Sequence, residues 1–359
     1  DFAVGKTALF DSVKLNMGHA NTPDGKTIVA DATLSARAGG NLSAAAYATV
    51  RWEDGWRPTL AVDRAADLFV RARAFPLEVM HPLVVPAVSK LEGSLAGDDR
   101  LAELVHGVEA VVHCAGAVRG ATRAQFDRVN VDGVRSLLRV LESQDEPPRL
   151  LSLSSLAARE PGLSHYAASK RMGEQVLVDE AQRVQWMALR PPAVYGPGDT
   201  ELLPLFRAMA RGFAPVPGAP DARFSMLFVD DLTAAVTAWL GSSATGSGVY
   251  TLEDGQAGGY DWRSVADTVT AICNRRVRLL PVPAWLLDIV AGSNSLAARV
   301  FGYAPMLTPE KLRELRHPDW VCDSEALQAE LDWQPGYQLE AGLRATPGWP
   351  GYTGDANDG

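Results

Sequence analysis

A chain of 359 residues can bury a sizeable core and is long for one compact domain. Its 47% hydrophobic and 21% charged residues suit a globular protein, and a net charge of −9 excludes the clustered lysine and arginine that a nucleic-acid surface needs. Cys114, Cys273 and Cys322 stand far apart with no C-x-x-C pair, and the six histidines lack H-x-x-x-H spacing. Neither a disulfide framework nor a metal site is therefore expected.

No charged-then-apolar leader opens the sequence, so a cytoplasmic location is the expectation. Residues 1 to 25 lack periodicity and read as an irregular N-terminal segment. Lys26 to Ala32 reads as a first strand, Ala44 to Val50 as a helix and Thr59 to Asp63 as a second strand. Beyond residue 88 the signals sharpen. Leu101 to Val105 reads as a helix, and Glu109 to Cys114 is a short apolar run suited to a buried parallel strand. Ala124 to Leu141 has apolar positions at helical spacing, Arg149 to Leu153 is a strand, Tyr166 to Glu180 a helix and Val184 to Leu189 a strand. This alternation predicts an α/β fold of Rossmann type, with a doubly wound parallel sheet.

The expected dinucleotide-binding domain covers 26–192 and is rejoined by 225–252. Proline and glycine then multiply, at Pro191-Pro192, Gly196 to Gly198 and Pro215 to Pro220, marking a smaller C-terminal substrate lobe over 193–224 and 253–345. Residues 346–359 are rich in Gly, Pro and Asp and read as a flexible tail. Asp288, Asn294 and Arg299 interrupt the apolar run from Ala284 to Gly302, so it reads as a buried helix or active-site cover rather than a membrane span. A surface helix making peripheral membrane contact through 284–302 is the alternative.

The chemistry concentrates in Tyr166-Ala-Ala-Ser-Lys170, a short interval after Ser154-Ser155. Tyrosine and lysine at i and i+4 share a helix face, and an ammonium near a phenol favours the phenolate. Such a tyrosine can exchange a proton with an alcohol or ketone. A serine at the end of the preceding strand can orient the substrate oxygen. The bare Y-x-x-x-K pattern is common on amphipathic helices, so its context decides.

That context is ordered. Val111 to Gly116 (VVHCAG), Asn130-Val-Asp-Gly133, Leu189 to Gly198 (LRPPAVYGPG), Phe228 to Leu232 (FVDDL) and the strand containing Tyr250 follow one another around the motif. In this arrangement the chain resembles the extended short-chain dehydrogenase/reductases, the NAD-dependent epimerase/dehydratase group, over roughly residues 88 to 345. The resemblance implies an NAD- or NADP-dependent enzyme with Ser155, Tyr166 and Lys170 as catalytic residues and Asn130 supporting them. It implies cofactor contacts from His113, Ala115, Gly116, Pro192 and Val194 as well as from Tyr166 and Lys170. Ser154 is the alternative serine, and a homodimer through the helices at 124–141 and 166–180 is implied by analogy. Local chemistry offers plainer roles: His113 and Cys114 as core residues, Arg190 as a carboxylate partner, and Asp230 and Asp231 as caps of a helix beginning at Leu232.

The glycine-rich phosphate loop is the point of departure. It is expected near residues 33 to 45, where Leu34 to Leu42 offers only the adjacent Gly39 and Gly40. Asp63 or Arg64 would meet the ribose, and Ser94 stands where relatives often carry an aspartate. Three readings stand: a divergent working loop, a lost cofactor site in a catalytically silent scaffold, or a disrupted reading frame across residues 30 to 87. For the reaction, Leu156-Ala157 after Ser155 supply no acid and base pair for dehydration, and the short step to Tyr166 leaves little room for the loop of nucleotide-sugar epimerases. The apolar runs from Leu279 to Val290 and from Val300 to Leu307 point to a small-molecule substrate that is an apolar ketone or secondary alcohol. A nucleotide-sugar epimerase is the alternative enzyme.

Overall fold

The computed structural model describes residues 101–353, except 103–104, 121, 243–245 and 302–306 and the side chains of 295–301, together with the backbone of three earlier strands. The chain divides into two units, Asp1–Leu91 with Asp355–Gly359, and Glu92–Gly354.

In the first unit β1 (Ser12–Gly18), β2 (Ile28–Ala38) and β3 (Asn41–Trp52) form an antiparallel sheet in that order. Two expectations are corrected here. Residues 12–18 are extended rather than irregular, and the helix expected at Ala44 to Val50 lies inside β3. The helix propensity of Ala44-Ala45-Ala46 gives way to a continuous ladder with β2, in a segment where Tyr47, Thr49 and Val50 favour the extended state.

The second unit is built around a four-stranded sheet. Helical residues at Leu101, Ala102 and Val105 precede β4 (Ala110–His113). Helix α1 follows, with an α-helical start at Arg123–Asp127, a π turn at Arg128–Asp132 and a second α-helical part at Gly133–Glu142. Then come β5 (Arg149–Leu153), a 3₁₀ turn (Leu156–Arg159), α2 (His165–Glu180) and β6 (Trp186–Arg190). The chain continues through β7 (Ala193–Tyr195), α3 (Leu203–Ala210), β8 (Phe213–Val216), β9 (Arg223–Phe224), β10 (Met226–Phe228), α4 (Val229–Gly241) and β11 (Gly248–Thr251). It closes with α5 (Trp262–Cys273), β12 (Arg278–Pro281), α6 (Ala284–Phe301), α7 (Pro309–Leu315), β13 (Asp319–Trp320), α8 (Glu325–Glu330) and α9 (Leu339–Ala345). The sheet runs β11-β6-β5-β4, all parallel, with α1 and α2 as the crossovers between β4, β5 and β6.

Strand alternation feeds both faces of this sheet. Leu150, Trp186 and Ala188 join Val134, Leu137, Leu138, Val176 and Leu177 of α1 and α2 on one side. Leu151, Met187 and Leu189 meet Ala235, Trp239, Leu327 and Trp333 on the other. Each fully buried Leu or Met contributes roughly 1.5–3 kcal/mol over the exposed state. A separate cluster gathers Phe206, Met209, Phe228, Tyr260, Val269, Leu343 and Trp349 around α3, α5 and α9.

That cluster overturns the flexible tail as far as residue 353. Trp349 is buried and its indole N–H donates to the Leu343 carbonyl at 2.8 Å, while the buried Thr346 hydroxyl donates to the Gly342 carbonyl at 2.7 Å. One indole in a Gly- and Pro-rich stretch is enough apolar surface to hold it down. The helix expected from Leu232 begins instead at Val229, and Asp231 does not cap it. Its carboxylate accepts the backbone N–H groups of Gly336 and Tyr337 at 2.8 and 3.1 Å.

Candidate active site

The carboxyl ends of β4, β5 and β6 carry the predicted residues. Ser154 and Ser155 follow β5 in extended conformation, and the backbone is tied to the β6 side by Ser154 N–H to Leu189 O at 2.8 Å and Leu156 N–H to Pro191 O at 2.9 Å. The two serines then part. Ser154 is buried and its hydroxyl donates to Glu174 at 2.5 Å, whereas Ser155 is half-buried and its side chain acts on the Tyr166 phenol. Ser155 also caps the 3₁₀ turn by accepting Ala157 N–H at 3.2 Å.

Tyr166 stands in the first turn of α2, whose N-cap Ser164 accepts Ala167 N–H at 2.9 Å. The Phe126 ring meets it edge-on at 6.1 Å. Burial raises the pKa of the phenol, and the Ser155 hydrogen bond and the Lys311 charge pull it back down. Lys170, one turn on, is buried, and its ammonium donates to the Leu153 carbonyl at 2.9 Å. Burial lowers its pKa to about 8, against the opposing charges of Glu174 and Cys114.

Asn130 ties these parts together from the π turn of α1. Its Oδ1 accepts Ala117 N–H at 2.8 Å, and its Nδ2 donates to Ala117 O at 3.0 Å and to Ser169 Oγ at 2.8 Å. Ser169 Oγ in turn donates to the Tyr166 carbonyl at 2.8 Å. One buried amide therefore fixes both the loop after β4 and the helix turn between Tyr166 and Lys170.

Of the residues expected to face a cofactor, those past the end of β4 are accessible. Ala115 and Gly116 are exposed past the end of β4, and a Cβ on Gly116 would stand 2.9 Å from Lys170 Nζ, so a side chain there would displace the ammonium. His113 is buried just before them, and its Nε2 has no hydrogen-bond partner among the described residues. Burial, then Lys170, lower its pKa to about 4, so it is a neutral wall rather than a charged contact. Pro192 is half-buried before β7, in which Val194 pairs with Leu227. Gly39, Gly40, Asp63, Arg64 and Ser94 lie outside the described residues. The elements on either side of the glycine pair are both strands, antiparallel with Ala38 opposite Asn41, where a phosphate loop would lead a strand into a helix.

Several partners escape a reading of the sequence. Glu174 is buried and binds Arg190 through Nε at 2.7 Å and Nη2 at 2.5 Å while accepting Ser154. It continues the face of Tyr166 and Lys170 by another four residues, a spacing that could have exposed it. Glu310, Lys311 and Glu314 of α7 meet the start of α2 from some 150 residues away, and no local signal marks them. Glu314 accepts Ser164 Oγ on one oxygen and Lys311 Nζ at 2.8 Å on the other.

Comparison with known proteins agrees with this arrangement. The family described as NAD dependent epimerase/dehydratase matches residues 53–252. The ceramide reductase of Caulobacter vibrioides is 34% identical over 282 residues, covering 76% of this chain and 80% of its own length. Among solved structures, UDP-glucuronic acid 4-epimerase from Bacillus cereus, in complex with NAD, superposes with a TM-score of 0.53 at 16% identity, over 71% of this chain and 78% of that one. RMD from Pseudomonas aeruginosa, complexed with NADPH, superposes with a TM-score of 0.52 at 20% identity, over 74% and 91%. At these identities the solved structures speak for the Rossmann-type fold alone, while the sequence matches reach across the residues assembled around Tyr166, and the chain belongs to the NAD dependent epimerase/dehydratase family.

Proposed function

We propose that this protein is an NAD- or NADP-dependent oxidoreductase that interconverts a ketone and a secondary alcohol on an apolar, lipid-like substrate. The carrying observation is the placement of Ser155 against the Tyr166 phenol, one helical turn from Lys170, whose ammonium stands at Gly116. Ser155 orients the substrate oxygen, and Tyr166 gives it a proton in reduction and takes it back in oxidation. Lys170, facing Gly116, would meet the cofactor's ribose, with Ala115, Pro192 and Val194 around the ring. The nicotinamide would supply or accept the hydride. Asn130 positions rather than touches the reactants. The similarity to a ceramide reductase supports the reducing direction and a lipid-like substrate.

The substrate class also suits the surface. Among the described residues no helix is long and apolar enough to cross a membrane, yet Trp285 and Ile289 of α6 are 64% and 57% exposed, beside exposed Leu286 and Val290. This face supports a peripheral membrane contact within 284–302. Cys114, Cys273 and Cys322 form no disulfide among the described residues, in keeping with the reducing, cytoplasmic setting we propose, and pairing through α1 and α2 remains our proposal for a homodimer.

A catalytically silent relative is the second reading, favoured by the antiparallel strands that flank Gly39 and Gly40. The test is oxidation of NADH or NADPH with a panel of long-chain keto lipids, an oxidised ceramide among them, beside UDP- and GDP-sugars. Turnover of the keto lipids supports the oxidoreductase. Epimerisation of the sugars alone, followed by product because it consumes no net NAD(P)H, supports an epimerase, and binding of neither nucleotide supports the silent form.

A further inference from the structure

Lys170 is not the only ammonium near the tyrosine. Lys311 of α7 carries its Nζ 6.0 Å from the centre of the Tyr166 ring. It is held there, since Nζ lies 2.8 Å from Glu314 Oε2 and the other oxygen of that buried carboxylate accepts Ser164 Oγ, the N-cap of α2. The rest of α7 grips the same helix start. Glu310 accepts His165 N–H at 3.0 Å and lies 3.1 Å from its Nε2, and Arg313 Nε donates to the Leu163 carbonyl at 2.9 Å. Lys170, meanwhile, spends its ammonium on the Leu153 carbonyl.

We propose that Lys311 is a positioning residue for Tyr166, a second cation that favours the phenolate and so sets the pH at which the tyrosine exchanges its proton. This rests on the oxidoreductase reading and adds to it a residue from the C-terminal segment. The electrostatics agree in both directions. Lys311 acts to lower the phenol's pKa, and although burial disfavours its own ammonium, Glu314, Tyr166 and Glu201 together outweigh that, so its pKa is raised. The groups facing the phenol are then few. The Ser155 hydroxyl acts to lower its pKa, Lys311 is the cation from α7, Glu314 opposes it, Lys170 lies one turn along α2, and Phe126 is neutral. Glu201, which acts on Lys311, is itself paired with Arg119. In reduction the phenol O–H bond breaks toward the substrate oxygen, and the phenolate left behind is stabilised until solvent returns the proton.

The test is a titration of the phenolate band in the near ultraviolet, taken as the difference between each protein and its Tyr166→Phe counterpart. Lys311→Met and Lys311→Gln should each move the Tyr166 midpoint up by roughly half to one pH unit, the effect of a partly screened opposite charge, while Lys311→Arg leaves it in place. The alkaline limb of the reduction profile should move up with it. An unchanged midpoint in both neutral variants overturns the proposal, as does an equal shift in Lys311→Arg. Because the band needs no substrate, failure to find turnover would count against the oxidoreductase reading and leave this result standing.

Discussion

Gly173 of α2 lies so close to the carbonyl oxygen of Asn130 that a Cβ there would stand 2.3 Å from it. The two helices make this approach at the π turn, with the Val134 side chain also within 3.7 Å of that Cβ position. The closeness lets Asn130 Nδ2 reach Ser169. Gly173→Ala should force the helices apart, costing about 1–3 kcal/mol as overpacked sites do. Chemical denaturation measures the cost, and turnover should fall beyond what the folded fraction explains, because Asn130 loses its grip on Ala117 and Ser169.

Tyr166→Phe removes the proton that the account assigns to the substrate oxygen and leaves the Phe126 contact in place. Turnover should drop by roughly two or more orders of magnitude, as for loss of a general acid/base, with NAD(P)H affinity little changed. Turnover near that of the unaltered protein would remove Tyr166 from the mechanism.

His113 makes acid sensitivity predictable. Its pKa is lowered from 6.5 to about 4 in the folded chain, so between these values the unfolded chain binds the extra proton. Its contribution to stability is present above pH 6.5 and is lost as pH falls toward 4, by roughly 3 kcal/mol in all. His113→Gln should flatten that part of the stability profile, as read from melting temperature against pH.

Arg190 holds Glu174, a carboxylate 4% exposed that also receives Ser154. Arg190→Leu leaves that buried charge with only the longer ion pair to Arg171 at 3.7 Å and should cost up to about 3–5 kcal/mol, whereas replacing Arg190 and Glu174 together with apolar residues should cost much less. A double-mutant cycle by denaturation checks both values.

The exposed face of α6 gives a binding prediction. Trp285→Glu with Ile289→Glu should abolish flotation with anionic liposomes while leaving reduction of a soluble short-chain ketone intact. Equal flotation of both proteins would detach the membrane from this face.

The parallel sheet and the helix that carries Tyr166 and Lys170 were legible because their signals are local. Short apolar runs place β4, β5 and β6, and Tyr166 to Lys170 falls on one helix face by spacing alone. What escaped depends on contacts between distant segments. Ala44 to Val50 has the composition of a helix until β2 pairs with it, and residues after Thr346 look like a tail until Trp349 finds a pocket against α3 and α9. The engagement of Ser154 by Glu174 and the cation beside the phenol from α7 are contacts that no motif announces.

The most direct measurement is a single-turnover assay with NADPH or NADH deuterated at the transferable position and a long-chain keto lipid. The account predicts deuterium on the new carbinol carbon, at a rate abolished by Tyr166→Phe. No transfer from either nucleotide, with the protein folded, would contradict it and leave the silent scaffold as the better description.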